Sequence, residues 1–489
     1  MPKKNTLTFL GALVAAEILS AFELSMLYSA LRYLIEDFGN PEAVGWIITS
    51  FLLASAVSAA ICGRLGDMFG RRQVLLAVIA VSVAGSLISG FSSSLAGVVA
   101  GRIIQGAAGA IFPLCIGLVR ENTSDDRAPI HIGILAATMT VSAGFGAVLG
   151  GVLVDNLSWH WIFFCGAAVG AVAMVLIAIY VPKSRPAGVP KRTNILGGIL
   201  FAPAIVFILL SVTKSADWGW ADTRTVLFLG AGAALMIVWI VSELKAETPL
   251  IHVRLLANRQ VLLVNLAGAV LGLSAFQFLQ VWSILLQQPT TTGIGLGLSA
   301  TMAGLVMLPM TLMALVGGPA AGWMIARYGG RPTMAIGSLV LSLTWIAVLL
   351  KNDSVLFFLG IMIIMGLSKA LFYASLPILI ARSVPLERTS EASGVMIVIR
   401  VTAMGIGAQI VATLLDSSTV KAPAGEGFYP DPTAYMVTLS YIIVGCFLMF
   451  FISLMLPRKE AVAKNAATGT VGEKKVATPP LVKESNDYA

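Results

Sequence analysis

Fourteen apolar runs of about 20 residues fill almost the whole chain, and they constrain its fold more than any other feature. A run of this length crosses the hydrocarbon core of a bilayer as one α-helix. Short polar turns separate the runs and leave no stretch long enough for a soluble domain. We therefore predict an all-α membrane protein with helices over residues 7–31, 43–62, 73–91, 95–119, 130–154, 160–181, 194–213, 224–244, 261–286, 299–321, 332–350, 355–381, 391–416 and 433–457.

Composition and motif content exclude several other classes of protein. The 489 residues are 57% apolar and 11% charged, with a mean hydropathy of +0.90, whereas soluble domains carry about 25% charged residues. The sequence contains no zinc-protease motif, phosphate-binding glycine loop or CxxC pair. We therefore expect neither an enzyme nor a cofactor or metal site. The polar segment 458–489 lacks apolar surface to bury and is expected to be a disordered cytoplasmic tail.

The basic residues sort by side of the membrane, which explains the net charge of +8 without a nucleic-acid partner. An even number of spans places both chain ends on one side. If that side is the cytoplasm, it receives 24 of the 32 lysines and arginines and the outer side receives five. This asymmetry follows the positive-inside rule. We expect a multi-pass protein of the cell (inner) membrane, in contact with the lipid bilayer, with both termini cytoplasmic.

Two glycine-containing turns at matching positions indicate an internal repeat. GRLGDMFGRR (63–72) follows the second run, and GWMIARYGGR (322–331) follows the tenth. Without the seventh and eighth runs, six runs precede and six follow, and two such halves are a transporter architecture. We predict a six-helix half over 1–182, a linker with two extra helices over 183–260, and a second six-helix half over 261–457.

Further motifs resemble those of the major facilitator superfamily. The 63–72 turn resembles the family's GxLaDrxGrrxxl loop, and RIIQG (102–106) its RxxqG motif. SAGFGAVLGG (142–151) resembles the antiporter motif gxxxGPxxGG, with Ala147 in place of proline. ELSMLYSAL (23–31) and WHWIF (159–163) are similar to the DxTIVNVALP and WRWxF motifs of the 14-span drug:proton antiporter branch, with glutamate for the leading aspartate and His160 for arginine.

The resemblance implies a major facilitator fold of two six-helix halves plus two inserted central helices. It also implies a proton-coupled secondary transporter that exports organic or amphipathic small molecules by alternating access and works as a monomer. Proton-coupled uptake of an organic anion is the alternative. By the same resemblance the first turn forms a conformational latch, although its arginines could serve only to set topology. The latch residues are Gly63, Asp67, Gly70, Arg71 and Arg72.

Five charged residues fall inside the predicted spans, where each costs about 2.5–3.5 kcal/mol on insertion scales and normally faces a cavity or another charge. They are Glu17, Glu23, Arg102, Lys369 and Arg400. At a rise of about 1.5 Å per residue, Glu23 and Arg102 lie at similar depth. A carboxyl that alternates between Arg102 and a proton would couple transport to protons. We therefore predict that Glu23, Arg102 and Glu17 carry proton coupling, and the resembled fold places runs 1, 4, 9 and 12 around the cavity.

Two further sets of residues are predicted from their positions in the spans. Lys369, next to aromatic residues, could attract an anionic substrate or form a structural ion pair with Glu17. The predicted substrate-binding residues are Lys369, Gln277, Phe276, Tyr373 and Gln280. Small residues four apart allow helices to pack closely, and Arg400 resembles an arginine common in the antiporter branch. The predicted helix-packing residues are Gly146, Gly150, Gly151 and Arg400.

Overall fold

The computed structural model describes residues 6–38, 41–184, 195–246, 249, 253–292, 294–298, 300–351, 354–421 and 428–457. Met1–Leu456 is one compact unit. The predicted tail at 458–489 lies outside the described residues. So does the stretch 185–194 of the predicted linker.

The described residues form sixteen α-helices and one two-stranded antiparallel hairpin. In chain order they are α1 (Thr6–Phe38), α2 (Pro41–Phe69), α3 (Arg71–Phe91), α4 (Leu95–Gln105), α5 (Ile111–Asn122), α6 (Ala128–Asn156), α7 (His160–Tyr180), α8 (Ile195–Trp218), α9 (Thr223–Lys245), α10 (Arg259–Leu273), α11 (Phe278–Gln287), α12 (Ala300–Tyr328), α13 (Gly330–Leu350), α14 (Val355–Ser383), α15 (Thr389–Asp416), β1 (Thr419–Lys421), β2 (Phe428–Pro430) and α16 (Pro432–Leu454).

Two of the spans consist of a helix pair with a 3-10 turn between its members. Gly106–Ala110 separates α4 from α5, and Ala275–Gln277 separates α10 from α11. With each pair taken as one span, the described helices coincide with the fourteen predicted runs. Thirteen spans are long and apolar enough to cross a membrane, and α8 contributes a shorter apolar stretch, Leu200–Val212. The predicted all-α membrane fold is confirmed.

Helix pairings recur in the two halves, here α1–α7 and α10–α16. In the first half α1 packs on α6 and α3 packs on α4 and α7. In the second half α10 packs on α15 and α13 packs on α14 and α16. Helices at equivalent places in the repeat therefore have equivalent neighbours. The halves meet along two seams, α2 with α15 and α6 with α12, which the repeat also relates to each other.

The two turns of the repeat share an unusual backbone conformation. Gly70, between α2 and α3, has a φ of 103°, and Gly329, between α12 and α13, has a φ of 93°. Only glycine adopts such angles without strain from a Cβ atom. The repeat seen in the sequence is thus present in the backbone. We call the end of the bundle that carries both turns the glycine-turn end.

The inserted helices α8 and α9 pack on each other, and α8 lies against α2 and α15. Phe201 of α8 and Trp239 of α9 share an apolar cluster with Leu53 of α2 and Val398 of α15. The extra pair therefore covers the α2–α15 seam from outside the twelve repeated spans.

Candidate functional site

A cavity of about 560 Å³ lies between the two halves at mid-length of the helices. Helices α1 and α6 line one side, and α12, α14 and the break between α10 and α11 line the other. Its lining is largely apolar. It extends away from the glycine-turn end towards Tyr28 of α1, which is 52% exposed. Such a cavity is large enough for a drug-sized molecule.

The helices around the cavity differ in part from those predicted. Spans 1, 9 and 12 contribute lining residues, as expected. Span 4 contributes none among the described residues, because Arg102 is fully buried inside the first half. Spans 5 and 10 take part instead because α6 and α12 form a seam on which the cavity lies.

Three of the five predicted substrate-binding residues meet in this cavity. Lys369 of α14 points its Nζ at the ring of Phe278, with 3.5 Å to the centroid, and lies 5.3 Å from the centroid of Phe276. The rings of Phe276 and Tyr373 are 5.6 Å apart, so the aromatic side chains form one cluster around the ammonium group. Lys369, Phe276, Phe278 and Tyr373 all line the cavity.

The two predicted glutamines do not line the cavity. Gln277 is buried and its Nε2 donates to the main-chain oxygens of Gly272 at 2.7 Å and Met404 at 3.0 Å. It therefore satisfies backbone carbonyls at the break between α10 and α11 and holds that break against α15. Gln280, in the following helix, is likewise absent from the lining. Both glutamines therefore lie outside the cavity lining in this conformation, and their contact with substrate stays a prediction.

Arg400 of α15 lies directly behind the aromatic cluster. Its guanidinium carbon is 4.8 Å from the centroid of the Tyr373 ring. The side chain is buried, and its Nε and Nη1 atoms have no hydrogen-bond partner among the described residues. Arg400 does pack between helices as predicted, and it also brings an unneutralised positive charge close to the cavity wall.

Glu23 belongs to a buried polar network in the first half. Its Oε1 accepts hydrogen bonds from Ser82 Oγ at 2.5 Å and Ser86 Oγ at 3.2 Å, both on α3. Gln105 Nε2 donates to Ser86 Oγ at 2.6 Å and so connects α4 to the network. Glu23 Oε2 has no partner in the described part of the chain. The carboxyl therefore keeps one unoccupied oxygen in an environment that excludes water.

Arg102 is adjacent to Glu23 but does not bind its carboxyl group. Arg102 Nη1 donates to the main-chain oxygen of Glu23 at 2.9 Å and to Gln105 Oε1 at 3.0 Å. Its guanidinium also covers the Phe51 ring at 4.0 Å, and its Nη2 has no partner within the described ranges. The predicted pair does lie together, while this conformation holds the two charges next to each other without a direct ion pair.

Glu17 is separate from this network. It is fully buried, and both carboxyl oxygens lack a hydrogen-bond partner among the residues that the structure describes. The Cys115 thiol of α5, a weak hydrogen-bond donor, is the polar neighbour of the carboxyl group. The alternative ion pair of Glu17 with Lys369 is not formed among the described residues.

At the glycine-turn end, Asp67 and Arg71 connect the halves across the α2–α15 seam. Asp67 Oδ1 accepts from Arg71 Nε at 2.8 Å, and Oδ2 accepts from the main-chain N–H of Glu391 at 3.0 Å. Glu391 lies in the first turn of α15, where the helix dipole favours a negative charge. Arg71 Nε also approaches Ser390 Oγ at 3.1 Å, and its Nη2 donates to the Leu386 main-chain oxygen.

Close backbone approach at glycines keeps this end shut. A Cβ atom on Gly63 would lie 2.6 Å from the main-chain oxygen of Ser390. On the other seam, a Cβ on Gly322 would collide with the main-chain oxygen of Pro129. Gly63 and Gly322 are the equivalent residues of the two repeats, so both seams use the same device.

The remaining predicted latch and helix-packing residues differ in what they contact. Arg72 contacts its own half, since its Nη2 donates to the Ala178 main-chain oxygen at 2.6 Å, and it therefore does not bridge the seam. Gly146 and Gly150 lie close against α1, because a Cβ on Gly150 would lie 2.7 Å from Met26 Cα and one on Gly146 would collide with Ser25. A Cβ on Gly151 would meet nothing within 4 Å among the described residues.

Several residues of the site escaped the sequence-based predictions. Ser82 and Ser86 are completely buried and four apart on α3, a polar stripe that an apolar helix does not need. Gln105 stands within the RIIQG motif, three residues after Arg102. Arg120 binds across the seam to the Val384 main-chain oxygen at 2.8 Å. The serine spacing was a usable signal, whereas the Arg120 contact depends on tertiary structure alone.

Comparison with known sequences identifies the family of the chain. Residues 13–288 and 264–483 match the Major Facilitator Superfamily. The chain is 28% identical over 399 residues to the tetracenomycin C resistance and export protein of Streptomyces glaucescens, which covers 80% of this chain and 71% of that protein. It is 28% identical to the cephamycin export protein CmcT of Amycolatopsis lactamdurans over 93% of both chains. The multidrug transporter protein MdtP of Bacillus subtilis is 27% identical, over 69% of this chain and 62% of its own length.

Solved structures agree on the fold. The proton:xylose symporter XylE superposes with a TM-score of 0.61 at 14% identity, over 92% of this chain and 96% of that chain. The human organic anion transporter MFSD10 superposes with a TM-score of 0.59 at 14% identity, over 92% of this chain and all of that one. The predicted transporter, as opposed to an enzyme, is confirmed, and the relatives named as exporters agree with the predicted efflux branch. With matches that extend over both halves, the chain belongs to the Major Facilitator Superfamily.

Proposed function

We propose that the protein is a proton-coupled secondary active transporter that exports organic or amphipathic small molecules by alternating access. The observation that carries the proposal is the mid-bundle cavity between two repeat-related halves that are closed against each other at one end. Rocking of such halves about a central site is how inverted-repeat and two-domain transporters expose a ligand to each side in turn. Three relatives that bear "export" or "multidrug transporter" in their names support the direction of transport.

The distribution of basic residues supports an assignment of the two ends. The positive-inside rule puts the glycine-turn end, with Arg64, Arg71 and Arg72, in the cytoplasm of a cell whose inner membrane holds the protein. The conformation described here would then be closed to the cytoplasm and open outward. The contacts of Asp67, Arg71 and Gly63 with α15 would act as the latch of that outward-open state.

Glu23 is the preferred proton carrier because of its surroundings. Its Oε2 is buried without a partner in the described structure, while Arg102 lies next to it and is bound to its main-chain oxygen. A small movement of α4 relative to α1 would convert this arrangement into a direct ion pair. Protonation and ion pairing would then be alternative states of one carboxyl group, which is the requirement for coupling.

The test uses purified protein in proteoliposomes with an imposed pH gradient. The transported probes are pyrene-1-butyrate, pyrene-1-butanol and pyrene-1-butylammonium, quantified by fluorescence after filtration. We expect proton-driven accumulation of at least one probe by the parent protein. Glu23→Gln should abolish the response to the gradient and leave exchange without a gradient intact. Glu17→Gln, on the same helix and also buried, discriminates between the two predicted carriers, because loss of the gradient response in this variant instead would assign the role to Glu17.

Opposite results would discriminate clearly. A Glu23→Gln protein that still accumulates probe against its gradient would overturn the assignment of Glu23. A parent protein in which no probe responds to a pH gradient of either sign would overturn proton coupling. We also expect a monomer to suffice, which single-protein nanodiscs test by probe binding at parental affinity.

Uptake of an organic anion is the second candidate function. Lys369 in the cavity favours an anion, but its position at mid-depth does not favour either direction of transport. The two candidates predict opposite signs of response. An exporter moves probe towards the acidic compartment in exchange for protons, whereas a symporter moves probe out of the acidic compartment together with protons.

A further inference from the structure

We propose that the central cavity selects amphipathic organic anions, with Lys369 as the residue that binds the acidic group. The inference rests on the proposed function in one respect, namely that this cavity holds the transported molecule. It adds the substrate class, which neither the family match nor the fold specifies. Three features of the cavity support it: the sign of its charge, the lack of a competing partner for that charge within the described structure, and its apolar body.

The cavity carries one kind of charge. Among the described residues that line it, Lys369 is the charged one, and the lining includes no aspartate or glutamate. The buried carboxyl groups of Glu17 and Glu23 lie on α1 but outside the lining. A carboxylate in the wall would be the strongest partner for a cationic drug, and a fixed cation there repels one. This wall offers a cation instead.

The ammonium group of Lys369 is held ready without a polar partner. Within the described structure its contacts are the ring faces of Phe278 at 3.5 Å and Phe276 at 5.3 Å, and no carboxylate forms an ion pair with it. Cation–π contacts orient an ammonium group but leave its charge and its hydrogen-bond donors available. An acidic group on a ligand can therefore bind Lys369 without displacing a protein partner.

Arg400 strengthens the same preference from behind the wall. It stacks on the Tyr373 ring at 4.8 Å, and Tyr373 itself lines the cavity. The Nε and Nη1 atoms of Arg400 are buried without hydrogen-bond partners among the described residues, so this second positive charge is not neutralised by them. Two such charges beside one cavity produce a positive potential at the ligand.

The rest of the lining suits an apolar body. Around a volume of about 560 Å³ stand aromatic and methionine side chains, with Phe276, Phe278, Met307 and Met310 on the second half. Methionine and aromatic surfaces adapt to ligands of different shape. Hydroxyl groups of Thr140 and Thr311 supply a few neutral hydrogen-bonding positions. The ligand that fits is one with an acidic group at one end and a hydrophobic ring system.

The test measures binding in detergent by isothermal titration calorimetry, without transport. The pyrene-1-butyrate, butanol and butylammonium series keeps the body constant and varies only the charge. We expect the acid to bind about 10- to 100-fold more tightly than the alcohol, a difference of about 1.4–2.8 kcal/mol at about 1.4 kcal/mol per tenfold change. The ammonium member should bind most weakly.

Three variants identify the source of the preference. Lys369→Gln should remove most of the acid's advantage over the alcohol and leave the affinity for the alcohol unchanged, and Lys369→Arg should keep the preference. Lys351→Gln is the matched control, because Lys351 is exposed at the end of α13 and its replacement changes the net charge equally. Affinity for the alcohol also reports whether Lys369→Gln remains folded.

The outcomes separate this inference from the proposed function. Equal affinities across the series, tighter binding of the ammonium member, no binding of the acid, or an unaltered preference in Lys369→Gln would each overturn it. Those results would leave proton-driven transport in proteoliposomes unaffected. Conversely, an acid preference that depends on Lys369 in a protein without proton-driven transport would support the inference and overturn the coupling mechanism alone.

Discussion

Replacement of Asp67 by asparagine should weaken the closed state of the glycine-turn end. The Asp67 carboxylate crosses the seam at one point, where its Oδ2 accepts the main-chain N–H of Glu391 at 3.0 Å in the first turn of α15. Its other hydrogen bond, from Arg71, stays within the first half and does not distinguish closed from open. Asparagine keeps the size and one acceptor oxygen but removes the charge.

The size of the effect follows from the loss of charge alone. A hydrogen bond to a charged group stabilises by about 1.5–3 kcal/mol and a neutral one by about 0.5–1.5 kcal/mol, so the difference is about 1–1.5 kcal/mol. Loss of the favourable interaction with the helix N-terminus adds about 0.5–1 kcal/mol. The total of about 1.5–2.5 kcal/mol would raise the ratio of open to closed molecules roughly 10- to 60-fold.

Spin-label distance measurements across the seam can record that ratio. Asp126 and Glu387 are exposed at the glycine-turn end, on opposite halves, and accept labels after conversion to cysteine. The native cysteines, Cys62, Cys115, Cys165 and Cys446, are first replaced. We expect Asp67→Asn to move population from the short to the long distance while circular dichroism shows an unchanged helix content.

A second aspartate at a helix N-terminus provides the control. Asp431 accepts the Ala434 N–H at 2.8 Å at the start of α16, within one half. Hydrogen bonds from the Ser418 hydroxyl and the Ala434 N–H hold the pKa of Asp431 below its usual range, so Asp431 is charged at neutral pH. Asp431→Asn should leave the distances unchanged. An unaltered distribution in folded Asp67→Asn, or an equal change in Asp431→Asn, would refute the reasoning.

Three further predictions test individual contacts. Gly63→Ala should open the glycine-turn end and slow transport, because the added Cβ would lie 2.6 Å from a backbone oxygen. Gly151→Ala, whose Cβ would meet nothing within 4 Å in the described structure, should change the free energy of unfolding by less than about 0.5 kcal/mol. The spin-label pair and a transport assay are applied to both variants. Gln277→Ala should lower the free energy of unfolding by about 1–3 kcal/mol, seen as a lower melting temperature, because the Gln277 amide donates to two main-chain carbonyls. Binding of pyrene-1-butyrate should not weaken. A loss of affinity at parental stability would show instead that Gln277 contacts the substrate. Gly150→Ala should destabilise the α1–α6 pair by about 1–3 kcal/mol in thermal unfolding, and an unchanged melting temperature would show that these helices separate readily.

The spans could be predicted from sequence because one physical requirement dominates them. A bilayer demands about 20 apolar residues per helix, and this pattern is local. The turn glycines could also be predicted from the sequence, since Gly70 and Gly329 occupy backbone angles that other residues avoid. The role of Gln277 could not be predicted, because the sequence does not distinguish a polar residue that faces a cavity from one that binds the carbonyls of a broken helix. The 3-10 turn at Ala275–Gln277 leaves main-chain carbonyl groups without helical partners, and the Gln277 side chain donates a hydrogen bond to one of them.

Depth along a helix was predictable, whereas the direction of each side chain around it was not. Counting residues placed Glu23 beside Arg102, and the two are adjacent. Counting could not show that the Arg102 guanidinium binds the main-chain oxygen of Glu23, or that two serines of α3 donate hydrogen bonds to the Glu23 carboxyl group. Likewise, the sequence indicated that Lys369 lies among aromatic residues, but Phe278, its nearest ring, was not among the predicted ligands. Such choices depend on the rotation of each helix, which neighbouring helices set.

The distribution of unsatisfied polar atoms separates two kinds of charge in this protein. Of the fourteen buried side-chain polar atoms without a partner in the described structure, six belong to Glu17, Glu23, Arg102 and Arg400. Each such atom costs about 1–3 kcal/mol, so a protein built for one conformation would gain stability if these groups were paired. Asp67, by contrast, has donors on both carboxyl oxygens. The Asp67 carboxylate that closes the seam is thus satisfied in this conformation. The buried charges of Glu17, Glu23, Arg102 and Arg400 keep polar atoms that a proton, a ligand or the opposite conformation can satisfy.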